Sequence, residues 1–145
     1  MKKLFVAVLL TVAATAGAFA APAKVNPTVL SSFKADFANA ANVKWQIERD
    51  FIKAEFTTGT ARMEAYYNAD GNIIATSKSI SLNEIPVNAK RSFAKKFAGY
   101  NATEAIKFTG FDETAYYISG ENDKEKVILK VDENNQVSVY TKAKR

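Results

Sequence analysis

Residues 62–80 read RMEAYYNADGNIIATSKSI. Met63, Ala65 and Tyr67 alternate with Arg62, Glu64 and Tyr66, the period-two pattern of a strand with one apolar and one polar side. Asn68-Ala69-Asp70-Gly71 then marks a tight reversal, because Gly71 can take the positive φ that short hairpin turns need. Residues 73–80 continue as a second strand. Two strands around a short turn make an antiparallel hairpin, and the rest of the chain reads outward from it.

Upstream, Val43, Trp45 and Ile47 alternate with Lys44, Gln46 and Glu48, and Ile52, Ala54 and Phe56 alternate with Lys53 and Glu55. Arg49-Asp50 and Thr58-Gly59 supply the turns. Before these strands, Asn26-Pro27 is a helix-start signal, and Leu30, Phe33 and Phe37 recur at helical spacing, with a stop expected near 39–42. Downstream, Asn83-Glu84-Ile85-Pro86 opens a second helix with Ala89, Phe93 and Phe97 on one face and Gly99 as terminator. Further strands are expected over 106–108, 116–119, 126–131 and 136–141. Pro27 and Pro86 are 59 residues apart, while Phe33–Phe93 and Phe37–Phe97 are each 60 apart. The expected fold is therefore α+β: a tandem repeat of a helix plus a four-stranded antiparallel meander, with repeats at about 26–82 and 83–145 and the helices on one sheet face.

Alternation assigns the side chains to faces. The packed face takes Val43, Trp45, Ile47, Phe56, Met63 and Tyr67, then Ile106, Phe108, Val127, Leu129, Val131, Val137 and Val139. The open face takes Lys44, Glu48, Lys53, Glu55, Arg62, Glu64, Tyr66 and Tyr140. Tyrosine is enriched in interfaces, so outward Tyr66 and Tyr140, with Tyr116 or Tyr117, offer an aromatic patch among mixed charges.

The first 20 residues, MKKLFVAVLLTVAATAGAFA, follow the grammar of a secretory signal. Lys2 and Lys3 precede an apolar run over 4–16, and Ala18-Phe19-Ala20 places small residues where a signal peptidase reads, so cleavage is expected after Ala20, with Ala21-Pro22-Ala23 as a second, weaker site. The run is shorter than the roughly 20 residues of a membrane-spanning helix. The expected organisation is a signal peptide over 1–20 and a single domain over 21–145, periplasmic or secreted, with no transmembrane segment after cleavage. Losing Lys2 and Lys3 lowers the formal charge from +5 to +3. The remaining basic residues are interleaved with acids, which argues against nucleic acid as a partner. Lys142, Lys144 and Arg145 form a small basic tail, either a solvated end or a weak attachment to an anionic surface.

Histidine and cysteine are both absent. That removes Ser-His and Cys-His nucleophiles, imidazole proton shuttles, thiol chemistry and most zinc sites. The carboxylates mostly sit beside basic residues on strand faces, as Glu55 after Lys53 and Glu64 after Arg62, where cross-strand pairing accounts for them. No enzyme activity, cofactor or metal is expected. Asp70-Gly71-Asn72 lacks the distal acid of a calcium loop and reads as a turn. Trp45 shares the parity of Val43 and Ile47 and reads as core.

A helix ending in paired phenylalanines runs into Asn42-Val43-Lys44-Trp45, then a strand ending in Phe56, then Glu64-Ala65-Tyr66-Tyr67-Asn68-Ala69-Asp70-Gly71-Asn72. A helix opened by Ile85-Pro86 and the pair Gly99-Tyr100 follow. This order resembles the PepSY-like, β-lactamase-inhibitor-like family of exported proteins of Bacteroidetes-type bacteria, over essentially the whole mature chain. The resemblance implies helices on one face of antiparallel sheets in tandem copies, and a periplasmic or surface-exposed binding role that restrains a peptidase or another enzyme. β-Lactamase inhibitor proteins carry disulfides, which this chain lacks, and no inhibitory loop can be matched, so β-lactamase inhibition is not carried over. The expected function is an exported, non-catalytic protein-binding module, with a protein partner meeting Lys44, Lys53, Glu55, Arg62, Glu64, Tyr66 and Tyr140. The alternative is a small-ligand carrier with an apolar pocket between helices and sheet, lined by Phe33, Phe37, Phe93 and Phe97.

Overall fold

The side chain of Asn26 accepts the Thr28 N–H at 2.8 Å, and with Pro27 behind it helix α1 starts here and runs Pro27–Asp36. The Asn26 amide also donates to the carbonyl of Ala69 at 2.9 Å, which ties the helix start to the 68–71 turn. The computed structural model describes residues 24–145, so the expected signal peptide lies outside the described residues. Helix α1 closes at Phe37, whose N–H bonds back to Phe33, short of the stop expected at 39–42. Strands β1 (Ala41–Ile47), β2 (Ile52–Thr58), β3 (Ala61–Tyr67) and β4 (Ile73–Ile80) follow. A capping box between Ser81 and Glu84 then starts a single 3₁₀ turn, Leu82–Glu84. Helix α2 runs Val87–Lys96, with Pro86 at the N-cap rather than inside the first turn. Strands β5 (Asn101–Gly110), β6 (Thr114–Glu121), β7 (Glu125–Val131) and β8 (Val137–Lys144) complete the order.

All eight strands lie in one antiparallel sheet in the order β1-β2-β3-β4-β5-β6-β7-β8. This corrects the expected α+β fold built as a tandem repeat of helix plus four-stranded meander. The molecule is mostly β, with two helices of only ten residues each. The physical reason is the middle of the sheet. Ala75 to Ile80 of β4 pair residue for residue with Gly110 to Ala105 of β5, so the hydrogen-bond ladder has no break at which separate units could begin.

Both helices pack on one face. Val29 and Phe33 of α1 meet Ala54, Phe56, Ala65 and Tyr67. The Phe33 ring stands edge-on to Trp45 and Phe56, each with centroids 5.0 Å away. On the second half of the same face, Ile85 and Ala89 meet Ala105, Ile118 and Val131. The opposite face carries its own apolar cluster of Tyr66, Ala75, Ile106, Phe108, Ala115 and Tyr117. Ile106 and Phe108 therefore leave the packed face on which they were expected. Ala105 opposes Ile118 beneath α2, and strand parity sends its neighbour Ile106 the other way, opposite Tyr117. Val43, Ile47 and Val139, also expected to be packed, are 36%, 50% and 52% exposed because they lie on the edge strands β1 and β8.

The turns are closed by their own side chains. Asn68 Oδ1 accepts the N–H groups of Asp70 and Asn72, and Asp132 Oδ1 accepts those of Asn134 and Gln136. These oxygens cap the backbone, and among the described residues no group of three or more His, Cys, Asp or Glu side chains could hold a metal ion.

Candidate functional site

Sheet register lines up one row of polar side chains on the face opposite the helices. Lys44 of β1 opposes Glu55 of β2, Glu55 opposes Glu64 of β3, and Glu64 opposes Ser77 of β4. Two carboxylates directly across a ladder repel each other. Lys53, two residues before Glu55 and on the same face, answers this, with its Nζ 2.6 Å from Glu55 Oε1 and 3.7 Å from Glu64 Oε1. Tyr66, two residues after Glu64, donates its hydroxyl to Glu64 Oε2 at 2.7 Å, and the Ser77 hydroxyl reaches the same oxygen at 3.4 Å.

Burial sets the electrostatics. Loss of water pushes the Glu64 carboxyl above the usual carboxylate range, although the Tyr66 hydrogen bond and the Lys53 charge pull the other way. Burial, and then the negative charge of Glu64, hold the Tyr66 hydroxyl far above its ordinary value, so it serves as a donor and not as a base.

Lys53, Glu64 and Tyr66 were expected to be exposed on an open face, and all three are buried. Lys53 is only 1% exposed. Lys44 and Arg62 do stand exposed, and Glu55 is half-buried between them and the Lys53–Glu64 centre. The Arg62 guanidinium pairs with Glu104 of β5, and the Arg62 backbone N–H donates to Ser79 Oγ at 2.9 Å. Tyr140 is half-buried at the far end of the same face, its ring edge-on to Tyr117 at 5.3 Å, so it stands apart from this cluster.

Lys44, Glu55, Arg62 and Glu64 together line a groove of about 230 Å³. The buried Glu64, Ser77 and Ile106 form its floor, and the exposed Lys44 and Arg62 stand at its rim. Ser77, Glu104 and Ile106 belong to the site without having been singled out from the sequence. The signal for two of them was present: Glu104, Ile106 and Phe108 alternate with the helix-side Ala105, but the strand expected over 106–108 starts at Asn101. The charged groups on the floor and walls pair with one another, Arg62 with Glu104, and Glu55 and Glu64 with Lys53. The rings considered for an apolar ligand cleft pack on their neighbours instead: Phe33 on Trp45 and Phe56, Phe37 on Phe56 at 4.7 Å, and Phe93 stacked on Phe97 at 5.9 Å.

No protein-family model matches the sequence, and no curated protein sequence matches it. Solved structures do match in fold. A candidate periplasmic protein of Bacteroides eggerthii superposes with a TM-score of 0.71 at 14% identity, covering 81% of this chain and 87% of that one. A BLIP-like protein of Bacteroides fragilis superposes with a TM-score of 0.64 at 18% identity, covering 81% and 84%. A DUF2874 family protein of Bacteroides uniformis gives 0.71 at 10% identity, covering 83% and 89%. The β-lactamase-inhibitor-like resemblance drawn from the sequence is thus borne out at the level of fold, across most of the length of each chain.

Proposed function

We propose, from a fold shared with a BLIP-like protein and a candidate periplasmic protein of Bacteroides, that this chain is an exported, non-catalytic protein-binding module. The observation that carries the reading is the groove on the face opposite the helices. Its volume suits one or two inserted side chains. Its rim carries the exposed cations Lys44 and Arg62, half-buried Glu55 and Glu104 line its walls, and its floor is fixed by the Lys53–Glu64–Tyr66 network. A fixed floor under a charged rim suits recognition of a protein surface, where a buried anchor supplies affinity and the rim supplies orientation. Restraint of a peptidase or another envelope enzyme is the role that the family resemblance implies for such a surface.

The test is affinity capture from an envelope fraction with the wild-type chain, with Lys44→Glu/Arg62→Glu, and with Lys34→Glu on α1 as a control. One protein recovered with the wild type and the control but lost with the double variant supports the reading. Identical recoveries from all three, or none, overturn it. The mass of the chain recovered from its host tests export independently, since cleavage after Ala20 removes the first 20 residues.

A further inference from the structure

The β7–β8 ladder contains a bulge, and the bulge decides where the last lysines point. Val137 and Val139 oppose Val131 and Leu129 on the helix side. Strict alternation would then place Lys142 and Lys144 on the other side. The register instead slips between Ile128 and Leu129, so that Thr141 opposes Ile128, Lys142 opposes Val127 and Lys144 opposes Glu125. Val127 lies on the helix side with Gly120. Lys142 and Lys144 therefore share the face of α2.

Helix α2 runs toward them. Ala89 packs over Ala105, Ile118 and Val131, and one turn later the Phe93 ring sits over Gly120, where an added Cβ would meet ring atoms at 3.2 Å and Val127 at 3.5 Å. From Val131 to Val127 is the direction of the start of β7 and the end of β8. The last turn of α2, with exposed Lys95 and Lys96, extends the same way. Arg145 joins them, because its backbone N–H bonds the carbonyl of Lys124 in the β6–β7 turn at 2.9 Å. Beside these cations Phe97 and Tyr100 form a half-exposed aromatic pair, with ring centroids 5.6 Å apart. Nearby acids are partly spent: Glu125 pairs with Lys142 at 2.7 Å and Glu121 with Lys126 at 3.8 Å, while Asp123 stands exposed in the turn. Among the described residues Lys95, Lys96, Lys124, Lys144 and Arg145 have no ion-pair partner.

We infer that this end of the molecule docks on an anionic lipid surface. Lysines on long stems around an amphipathic aromatic pair match a layer of negative headgroups over apolar chains, in which the ammonium groups need no fixed partner geometry. Two lysines at a helix C-terminus also favour the helix dipole, but that role explains neither Lys144, Arg145 nor the bulge that turns β8 toward them. The surface lies on the helix side of the sheet, so this inference stands apart from the groove reading.

The test is co-sedimentation of the mature chain with vesicles of phosphatidylcholine alone and of phosphatidylcholine with phosphatidylglycerol. Binding is expected only to the anionic vesicles. It should weaken by more than about tenfold in Lys95→Glu/Lys96→Glu/Lys144→Glu and fall steeply with added salt. A thermal melt checks that the variant stays folded. Equal binding by wild type and variant, equal binding to both vesicle types, or none to the anionic vesicles overturns the inference. Capture on soluble polyglutamate without vesicle binding also overturns it and assigns the patch to an acidic protein.

Discussion

Tyr66 donates its hydroxyl to Glu64, two residues away on the same strand, at 2.7 Å. Adjacent residues of equal parity point the same way from a strand, so the two side chains stand side by side on the face opposite the helices. The contact is local in sequence, yet its setting is not. Glu64 reaches Ser77 on the next strand and Lys53 on the previous one, so three strands meet at one carboxylate.

Lys53→Met should be strongly destabilising. It removes the cation that separates Glu55 and Glu64 and leaves buried negative charge without a countercharge, a change that costs about 3–5 kcal/mol in comparable settings. Adding Glu64→Gln should recover a large part of that loss. Urea unfolding of the single and double variants measures both, and a neutral single substitution would show that the ion pair contributes nothing.

Glu64 should make stability depend on pH in the opposite sense to an ordinary salt-bridged carboxylate. Burial holds its folded-state pKa above the ordinary value of a free carboxyl, so the native state holds its proton where the unfolded state has lost it. Between those two values stability falls as pH rises. Wild type should therefore gain on Glu64→Gln as the pH is lowered from neutral into the ordinary carboxylate range. Unfolding midpoints of both proteins across that range give the answer, and a wild type that loses ground to Glu64→Gln on acidification would contradict the assignment.

Two glycines with positive φ should respond differently to alanine. At Gly71 (φ 81°) an added Cβ would lie 2.7 Å from Ser32 Oγ and 3.2 Å from the Thr28 carbonyl, so backbone strain adds to a clash with α1. At Gly59 (φ 59°) nothing stands within 4 Å. Gly59→Ala should cost roughly 1 kcal/mol from the backbone alone, and Gly71→Ala clearly more. Equal melting temperatures would sink the distinction.

Phe33 is the aromatic anchor of α1, only 5% exposed and in contact with the rings of Trp45, Phe56 and Tyr67. Phe33→Ala should cost about 3–5 kcal/mol. Phe97, a half-buried C-cap residue of α2, touches Phe93 and Tyr100 and should cost well under half as much. Thermal melts decide between this ordering and equal anchoring.

The strands and turns were legible because their signals are local. Ile73–Ile80 has the same bounds in sequence and structure, and the Asn68 to Asn72 turn closes on its own side chain. The candidate site was half legible for the same reason: parity correctly placed Lys44, Lys53, Glu55, Arg62, Glu64 and Tyr66 on one face. Parity says which residues share a face, but it carries no information on whether that face is wet. Lys53 and Tyr66 read as surface residues, and they are buried by packing that pairs residues from other strands and the β1–β2 turn, such as Phe51 against Tyr66 at 5.4 Å. Architecture was least legible, because the β4–β5 ladder joins residues across a helix and an intervening turn, and no local pattern announces that pairing. Bulges defeat alternation outright, as at Lys142 and Lys144.

Strand order in this sheet is the order of synthesis. Every ladder closes between neighbours along the chain, and the entropy lost on closing a loop grows with its length. Folding rates are slowed by pairings between distant segments, which a meander avoids. No strand has to wait for the C-terminus: β1 and β2 can be in register, with β3 adding to their free edge, while β8 is still to come. For a chain that emerges N-terminus first, from a ribosome or through a pore, the sheet can assemble in the sequence of its arrival, and each new strand covers the edge left open by the last.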